Sequence, residues 1–345
     1  MARIKETQDP PSRARGPFAS VKITDVAALA GVAPMTVSRV LNTPDRVSTV
    51  TAARVRAAIE QLGYVPNLIA GGLSSRRSRM IAAVVPTIAS PMFNEPVRTF
   101  TEKLGEAGYH VMLALSGYTP GGEDSLIRAV LARRPDGLLL TGAHRSPAMQ
   151  ALLADARVPV VEIWDTSDNP TDVLVGFDHE QLGAAVADFF IAAGHTRFAA
   201  LTARDPRAGA RRAGFLSRVQ AAGLTLVAEK ILNAPSLIED GRMGLREIAP
   251  LLTARTALFG SSDLVAFGAI TEARIRGIDV PGQLAVCGFG DFEISRGSEP
   301  SFTTVRVDGA EIGRIAAEQL LARINGAAAP GRVLLPFTIL PRGST

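Results

Sequence analysis

The chain has 345 residues, of which 47% are hydrophobic and 20% are charged, with one cysteine and a formal net charge of +4. This composition is typical of a globular protein that is long enough for two or three domains. The single cysteine, Cys287, excludes an internal disulfide and a cysteine-cluster metal site, which favours a reducing compartment. The first twenty residues contain no apolar run as long as a signal-peptide core, and no later run reaches the length of a membrane span, so we expect a cytoplasmic protein.

Basic residues are concentrated near the N-terminus. Residues 1–79 carry 12 Lys or Arg against five Asp or Glu, a net charge of +7, whereas the remainder carries 25 against 28, a net charge of −3. A basic head on a mildly acidic body suggests a module that binds a polyanion, attached to a domain with another ligand. The alternative is a solvated basic face with no binding role.

The first part of the chain predicts a leader and a small helical head. Residues 1–20 are rich in Pro, Arg, Ser and Gly without periodicity, which predicts a disordered leader. Thr24 can cap a short helix that ends before Gly31, and Pro34 can occupy the first position of a second helix. Two short helices joined by so tight a turn form a helix-turn-helix. A third helix is expected over 48–63.

Beyond Arg79 the chain alternates between apolar strands and amphipathic helices. This alternation predicts parallel sheets covered by helices on both faces. About 265 residues exceed a single doubly wound sheet, so we expect two α/β lobes with a cleft between them. The predicted strands are 80–85, 110–115, 137–140, 158–163, 197–201, 256–260 and 284–288. The predicted helices lie near 94–107, 122–133, 147–156, 180–193, 210–222, 240–253, 263–276 and 310–325.

Short segments spread over the head carry the most specific signal: Asp25-Val26-Ala27, Ala30-Gly31-Val32, Thr36 to Asn42, Val47-Ser48, Leu62-Gly63-Tyr64 and Pro66-Asn67. Together they closely resemble the DNA-binding head of the lactose-repressor (LacI-type) family of bacterial transcriptional regulators. The body has the length and order of that family's effector domain, which looks like a type I periplasmic sugar-binding protein, so the resemblance covers residues 21–345. Segments 35–39 and 288–293 look most like the gluconate-repressor branch.

The resemblance implies a fold class and domain boundaries. The fold is a small all-α helix-turn-helix head followed by an α/β body of two doubly wound parallel-sheet lobes. The expected segments are a disordered leader over 1–20, a DNA-binding domain over 21–66, a hinge helix and linker over 67–78, and an effector-binding and dimerisation domain over 79–345. The first lobe is expected to hold about 79–177 and 308–325, and the second 178–307 and 326–345.

In this family the second helix enters the major groove, and the resemblance assigns a set of residues to DNA. Arg39 is the strongest candidate for base reading, because its planar fork can pair with a guanine edge. Pro34 and Met35 can at best pack on thymine methyl groups, and a partly buried Met35 is the alternative. Leu73 corresponds to the hinge leucine that wedges into the minor groove, against the alternative of a plain linker. The full expected set is Lys22, Thr24, Pro34, Met35, Thr36, Ser38, Arg39, Asn42, Asn67, Ala70 and Leu73.

The resemblance also implies an effector site in the cleft. Arg211 corresponds to the arginine that reaches the ligand in many relatives, and a guanidinium suits a carboxylate or phosphate, although a surface arginine is the alternative. Asp165 follows a strand at its carboxyl end, where α/β sheets place ligands. Gly290 stands where sugar-binding members place an aspartate, which favours a sugar acid such as gluconate over a neutral hexose. The expected effector-binding set is Phe93, which is alternatively a core residue, Asp165, Arg211, Ser262 and Asp291.

Enzyme motifs are weak in this sequence. The four histidines lack metal-ligand spacing, and neither a complete dinucleotide fingerprint nor a phosphate-binding loop is present, so no cofactor, metal or catalytic activity is expected. We therefore predict an allosteric transcription factor, a repressor in the simplest case, that is a homodimer or a larger oligomer. It is expected to bind palindromic operator DNA and a sugar-acid effector, and to be associated with the nucleoid. A solute receptor of a transporter and a carbohydrate enzyme on the same body fold are the alternatives.

Overall fold

The computed structural model describes residues 21–65, 77–119, 121–143, 145–328 and 330–345. The predicted leader and most of the predicted hinge, including Asn67, Ala70 and Leu73, lie outside these ranges. The chain divides into two compact units, Met1–Ser78 and Arg79–Thr345.

The first unit contains three helices within its described part: α1 (Ile23–Ala30), α2 (Pro34–Asn42) and α3 (Thr49–Leu62). Their contact faces bury Val26, Val37 and Val55, which form a small apolar core. Helix α1 begins one residue before the predicted cap: Lys22, not Thr24, is its N-cap, and the Lys22 amide donates to Asp25 Oδ2 at 2.9 Å. An acid three residues further on, in the first turn of the helix, thus accepts the hydrogen bond at this start.

Helices α2 and α3 begin where the sequence predicts. Pro34 is the first residue of α2, and Ser48 Oγ accepts from the Thr51 amide at the start of α3. Within the described ranges, no single helix is long and apolar enough to cross a membrane, and α1 and α2 meet that criterion only as a pair bent by 101°.

The first lobe of the second unit is built on a six-stranded parallel sheet in the order β11-β5-β4-β3-β1-β2. Its strands are β1 (Met80–Val85), β2 (His110–Leu115), β3 (Gly137–Thr141), β4 (Val160–Ile163), β5 (Val173–Gly176) and β11 (Arg332–Leu334). The helices of this lobe are α4 (Asn94–Glu106), α5 (Gly122–Leu131), α6 (Pro147–Ala156) and α12 (Gly309–Ile324). Strands β1, β3, β4 and β5 are buried along nearly their whole length, as a sheet covered on both faces requires.

The second lobe repeats this plan in the order β12-β10-β9-β8-β6-β7, with β12 antiparallel to its neighbour. Its strands are β6 (Arg197–Ala203), β7 (Thr225–Leu232), β8 (Thr256–Gly260), β9 (Leu284–Phe289), β10 (Thr303–Val307) and β12 (Phe337–Leu340). Its helices are α7 (His179–Ala192), α8 (Pro206–Ala221), α9 (Ile238–Ile248), α10 (Asp263–Ile275) and α11 (Glu293–Gly297).

The chain crosses between the lobes three times, after β5, after β10 and between β11 and β12. The third crossing differs from the expected boundary, which places the whole segment 326–345 in the second lobe. Arg332–Leu334 instead pairs with β5 of the first lobe, and only the residues after Leu334 join the second. A three-residue strand is too short to show periodicity in the sequence.

Each sheet reverses its strand order at one point. The first does so between β1 and β3, and the second between β6 and β8. Loops at the carboxyl ends of such strands diverge and leave a crevice, which is where open α/β sheets place ligands.

Candidate functional site

The outer face of α2 carries the residues expected to meet DNA. Arg39, Pro34 and Asn42 are exposed, Met35 is 63% exposed, and Val37 and Val40 turn inward. The exposure of Met35 argues against the alternative of a partly buried helix residue. Lys22 and Thr24 are also exposed, whereas Thr36 and Ser38 are half-buried.

A cavity of about 480 Å³, including open space, lies at the strand-order reversal of the second lobe. It brings together three residues of the expected effector set, Phe93, Arg211 and Ser262. Residues from the loops after β6 and β8 form one side, and residues of the first lobe, including Phe93 and Tyr118, form the other. Two of its charged residues, Asp205 and Arg207, were not predicted.

Arg211 is 3% exposed, and its donors point in two directions. Nη1 lies 2.9 Å from His179 Nδ1, and Nη2 donates to the Ser261 carbonyl at 2.9 Å. The guanidinium also lies 4.2 Å from the centre of the Phe289 ring. Among the residues described, no carboxylate lies within ion-pair distance of it. Burial lowers the pKa of Arg211 to about 10, so the side chain still carries its charge at neutral pH.

The contact with Arg211 determines the protonation of His179. A guanidinium only donates hydrogen bonds, so Nδ1 of His179 is the acceptor and Nε2 carries the ring proton. Nε2 lies 3.1 Å from the carbonyl oxygen of Trp164, at the end of β4. His179 therefore connects the first lobe, through Trp164, to the arginine of the second.

Arg207 lies four residues before Arg211 and on the same face of α8. Its guanidinium stacks on Phe93 of the first lobe, with Cζ 5.3 Å from the ring centre. Its Nε lies 3.9 Å from Oδ1 of Asp205, which also caps α8 by accepting from two backbone amides. In the described parts of the chain, the Arg207 guanidinium donates no hydrogen bond. The sequence contains a helix-start signal here, an aspartate followed by a proline at 205–206. The predicted helix nevertheless begins at 210 and not at Pro206.

A second cavity, of about 1050 Å³ including open space, lies at the strand-order reversal of the first lobe. Asp165 belongs here, where its carboxylate accepts from the amides of Ala143 and Thr166 at 3.1 and 2.8 Å. Tyr118 and Arg207 line both cavities. Burial raises the pKa of Tyr118, so its hydroxyl is a donor at neutral pH.

An ion-pair network supports the wall of this second cavity. Arg145 contacts Glu162 at 2.6 Å and Glu123 at 3.2 Å, and its side chain is almost completely buried. Burial raises the pKa of Glu162, although Arg145 and Thr171 favour its charged form. The charge of Arg145 is therefore already compensated by the protein.

Asp291 does not join the other expected effector residues. It lines neither cavity, and its carboxylate pairs with Arg342 at 2.5 Å. The neighbouring Gly290 has a φ of 129°, and a Cβ there would lie 2.5 Å from the ring of Phe292. An aspartate at position 290 would thus require Phe292 to move. No group of three His, Cys, Asp or Glu residues within the described ranges is arranged to hold a metal ion.

Comparison with known proteins matches both parts of the chain. Residues 22–67 match the family of bacterial regulatory proteins called the lacI family, and residues 187–345 match the periplasmic binding protein-like domain. The HTH-type transcriptional regulator GntR of Escherichia coli strain K12 is 34% identical over 327 residues, which cover 93% of this chain and 98% of that protein.

Solved structures agree with this match. A LacI-family transcriptional regulator from Silicibacter pomeroyi is 31% identical, with a TM-score of 0.87, and the match covers 94% of this chain and 99% of that one. The lac repressor dimer bound to operator and the anti-inducer ONPF is 25% identical, with a TM-score of 0.78, over 94% of this chain and 99% of that one. The chain described here belongs to the LacI family of DNA-binding transcriptional regulators.

Proposed function

We propose that this regulator is a repressor that binds a palindromic operator as a homodimer. Its affinity for the operator falls or rises when a small anionic effector binds. The effector binds in the cavity of the second lobe, and a sugar acid such as gluconate is the first candidate. The lac repressor dimer matched above was solved with operator and a small anti-inducer, which supports this division of roles.

One observation carries the choice of an anion. Arg211 lines the cavity, is almost fully buried, and has no carboxylate in contact among the described residues. An isolated buried charge is costly, and proteins normally pair it with an opposite charge. A carboxylate on the effector supplies that partner, whereas a neutral sugar does not.

The head supplies the other half of the function. The exposed side of α2 presents Arg39 for a guanine edge, with Lys22 placed for a phosphate contact. Asn67, Ala70 and Leu73 are the expected hinge contacts, and Leu73 is the proposed minor-groove wedge. A homodimer follows from the same reasoning, because one head reads only a half-site.

Effector binding can act on DNA because the cavity lies between two lobes. The hydrogen bonds from Arg211 to His179, and from His179 to the Trp164 carbonyl, link the lobes beside the cavity. A ligand that binds one arrangement of the lobes more tightly shifts the protein toward it, and such coupling typically amounts to about 1–3 kcal/mol.

Calorimetric titration of the full chain with D-gluconate and D-glucose tests the effector. We expect gluconate to bind more tightly, and Arg211→Met to lose about 2–5 kcal/mol of gluconate binding. Arg212→Met is the matched control, because Arg212 lies on the same helix but does not line the cavity, and its guanidinium pairs with Glu229 of β7. Equal affinity for the two ligands in the unmodified protein would contradict the proposal. Operator binding measured with and without gluconate tests the coupling, and identical operator affinities would contradict it.

A further inference from the structure

We propose that the two cavities form one polarised effector site, in which Arg207 reads the carboxylate of the ligand and the acidic wall of the first lobe rejects a second anionic group at its far end. The site then selects a polyhydroxy acid with a single negative charge. This inference rests on the proposed effector function and adds to it a specificity-determining residue and an orientation for the ligand.

Arg207 stands at the junction of the two cavities. It lines both of them, as does Tyr118, so a ligand that extends from one cavity into the other must pass these two side chains. Arg207 is also on the same helix face as Arg211, which places both guanidinium groups at the cavity of the second lobe.

The two arginines differ in how many donors the protein already uses. Arg211 gives Nη1 to His179 and Nη2 to the Ser261 carbonyl. Arg207 donates no hydrogen bond within the described residues, and its nearest acid, Asp205, lies 3.9 Å away at Nε. The planar fork of Arg207 is therefore the less occupied of the two and can give two parallel hydrogen bonds to a carboxylate, whereas each terminal nitrogen of Arg211 already gives one hydrogen bond to the protein.

Phe93 holds this fork in place. The stacking of Arg207 on the Phe93 ring at 5.3 Å restricts a long side chain that would otherwise lose much freedom on binding. The ring belongs to the first lobe and the arginine to the second, so the binding group is pre-organised only when the lobes are together.

The far cavity has the opposite charge. Glu123, Asp124 and Asp165 line it, and its one further arginine, Arg145, is already paired with Glu162 and Glu123. Glu123 and Asp124 also occupy the first turn of α5, where they neutralise the positive end of that helix. Carboxylates accept hydrogen bonds from hydroxyl groups but repel a phosphate, so this wall suits a polyol chain.

The ligand orientation follows from these charges. The carboxylate points toward Arg207 and Arg211, and the hydroxyl groups point toward the acids and the hydroxyls of the first lobe. A sugar acid that carries a phosphate at the end opposite its carboxylate places that phosphate against the acidic wall.

Calorimetry with three probes, D-gluconate, D-glucose and 6-phospho-D-gluconate, tests this orientation. In the unmodified protein we expect gluconate to bind at least about tenfold more tightly than either other probe. Arg207→Met should weaken gluconate binding by about tenfold or more and leave glucose binding unchanged, while Arg207→Lys should retain part of the preference because it keeps the charge. The control Arg212→Met should change neither.

A gain of binding provides the second arm. The pair of substitutions Glu123→Gln and Asp124→Asn keeps hydrogen-bonding groups but removes two negative charges. It should reduce the ratio of the affinity for gluconate to the affinity for 6-phosphogluconate by about tenfold. A variant that fails to fold would lose both affinities and could not produce this result.

The outcomes separate this inference from the proposed function. If gluconate binding requires Arg211 but not Arg207, or if 6-phosphogluconate binds as tightly as gluconate, the polarised site is wrong and the anionic effector stands. If the unmodified protein binds neither sugar acid, both are wrong.

Discussion

The carbonyl oxygen of Arg211 lies against Gly183, where an added Cβ would be only 1.9 Å from it. A second glycine, Gly214, approaches the carbonyl of Glu180 equally closely in the opposite direction. Helices α7 and α8 therefore touch through their backbones, and this contact sets how far Arg211 reaches into the cavity.

Gly183→Ala should displace α8, because the new methyl group meets backbone atoms that have no rotamer to change. We expect a loss of about 1–3 kcal/mol in the free energy of unfolding, together with weaker gluconate binding. Gly209→Ala, on α8, is the control: outside its own helix no atom lies within 4 Å of its Cβ position, so it should raise stability by about 0.4–1 kcal/mol. Urea unfolding and calorimetry measure both effects, and a neutral Gly183→Ala would refute the close contact.

His179 is expected to act as the acceptor that positions Arg211. His179→Phe keeps an aromatic ring next to Phe177, 4.4 Å away in the native protein, but removes the acceptor for Arg211 and the donor for Trp164. We expect a loss of about 1–3 kcal/mol in stability, because a buried charged donor is left unpaired. His179→Gln provides both an acceptor and a donor and should recover part of the effector affinity. Equal gluconate affinity for both variants would show that the hydrogen bonds are unimportant.

Base reading and phosphate binding on the head are expected to respond differently to mutation. Arg39→Ala should cost about 1–3 kcal/mol on the preferred operator and relax the preference at one base pair per half-site. Lys22→Ala should weaken binding to all sequences and reduce the slope of log affinity against log salt by about one. Selection from random DNA, followed by titration at several salt concentrations, distinguishes them. The same consensus for Arg39→Ala as for the parent would exclude Arg39 as a base reader.

Asp263 should make stability depend on pH. Its carboxylate accepts from Thr304 Oγ1 and the Phe292 amide, but burial dominates and raises its pKa to about 7. The folded state therefore favours the protonated form, whose stabilising contribution is complete below the unfolded pKa and is lost as the pH rises toward and through about 7.

Asp263→Asn isolates this effect, because the amide can retain both hydrogen bonds if the Thr304 hydroxyl reverses its role. Relative to this variant, the unfolding free energy of the native sequence should fall between about pH 4 and 7, with a slope that approaches about 1.4 kcal/mol per pH unit. Urea unfolding over this range measures the difference. Parallel pH profiles for the two proteins would contradict the prediction.

Uninterrupted apolar runs of five or six residues could be predicted as strands from the sequence, even at a sheet edge as in β2, whereas shorter or interrupted strands could not. The bounds of β1, β2 and β8 match the predicted ones, since each is a clear apolar run between polar residues. Strand β5 has four residues, and β7 lies at a sheet edge with exposed and half-buried positions interspersed. Neither gives a pattern strong enough to be distinguished from a loop.

Only some residues of the candidate site could be predicted from the sequence, for a related reason. The family resemblance predicts Phe93, Arg211 and Ser262 as effector-binding residues, and all three line one cavity. It places Asp291 in the same set because this residue follows Gly290 in the chain. Adjacent residues point in different directions, and the Asp291 carboxylate turns to Arg342. Tyr118 follows β2 in a loop rich in glycine and proline, where no periodicity predicts the direction of a side chain.

Trp164 is the only tryptophan in the chain, and its indole is buried. Its ring meets the ring of Phe93 edge-on at 6.0 Å, and Arg207 stacks on the same phenyl group. Through its carbonyl it bonds to His179, the partner of Arg211. One intermediate residue therefore separates this fluorophore from each of the two arginines. Intrinsic emission should report ligand entry without any label, and stopped-flow mixing can time the event before DNA is added.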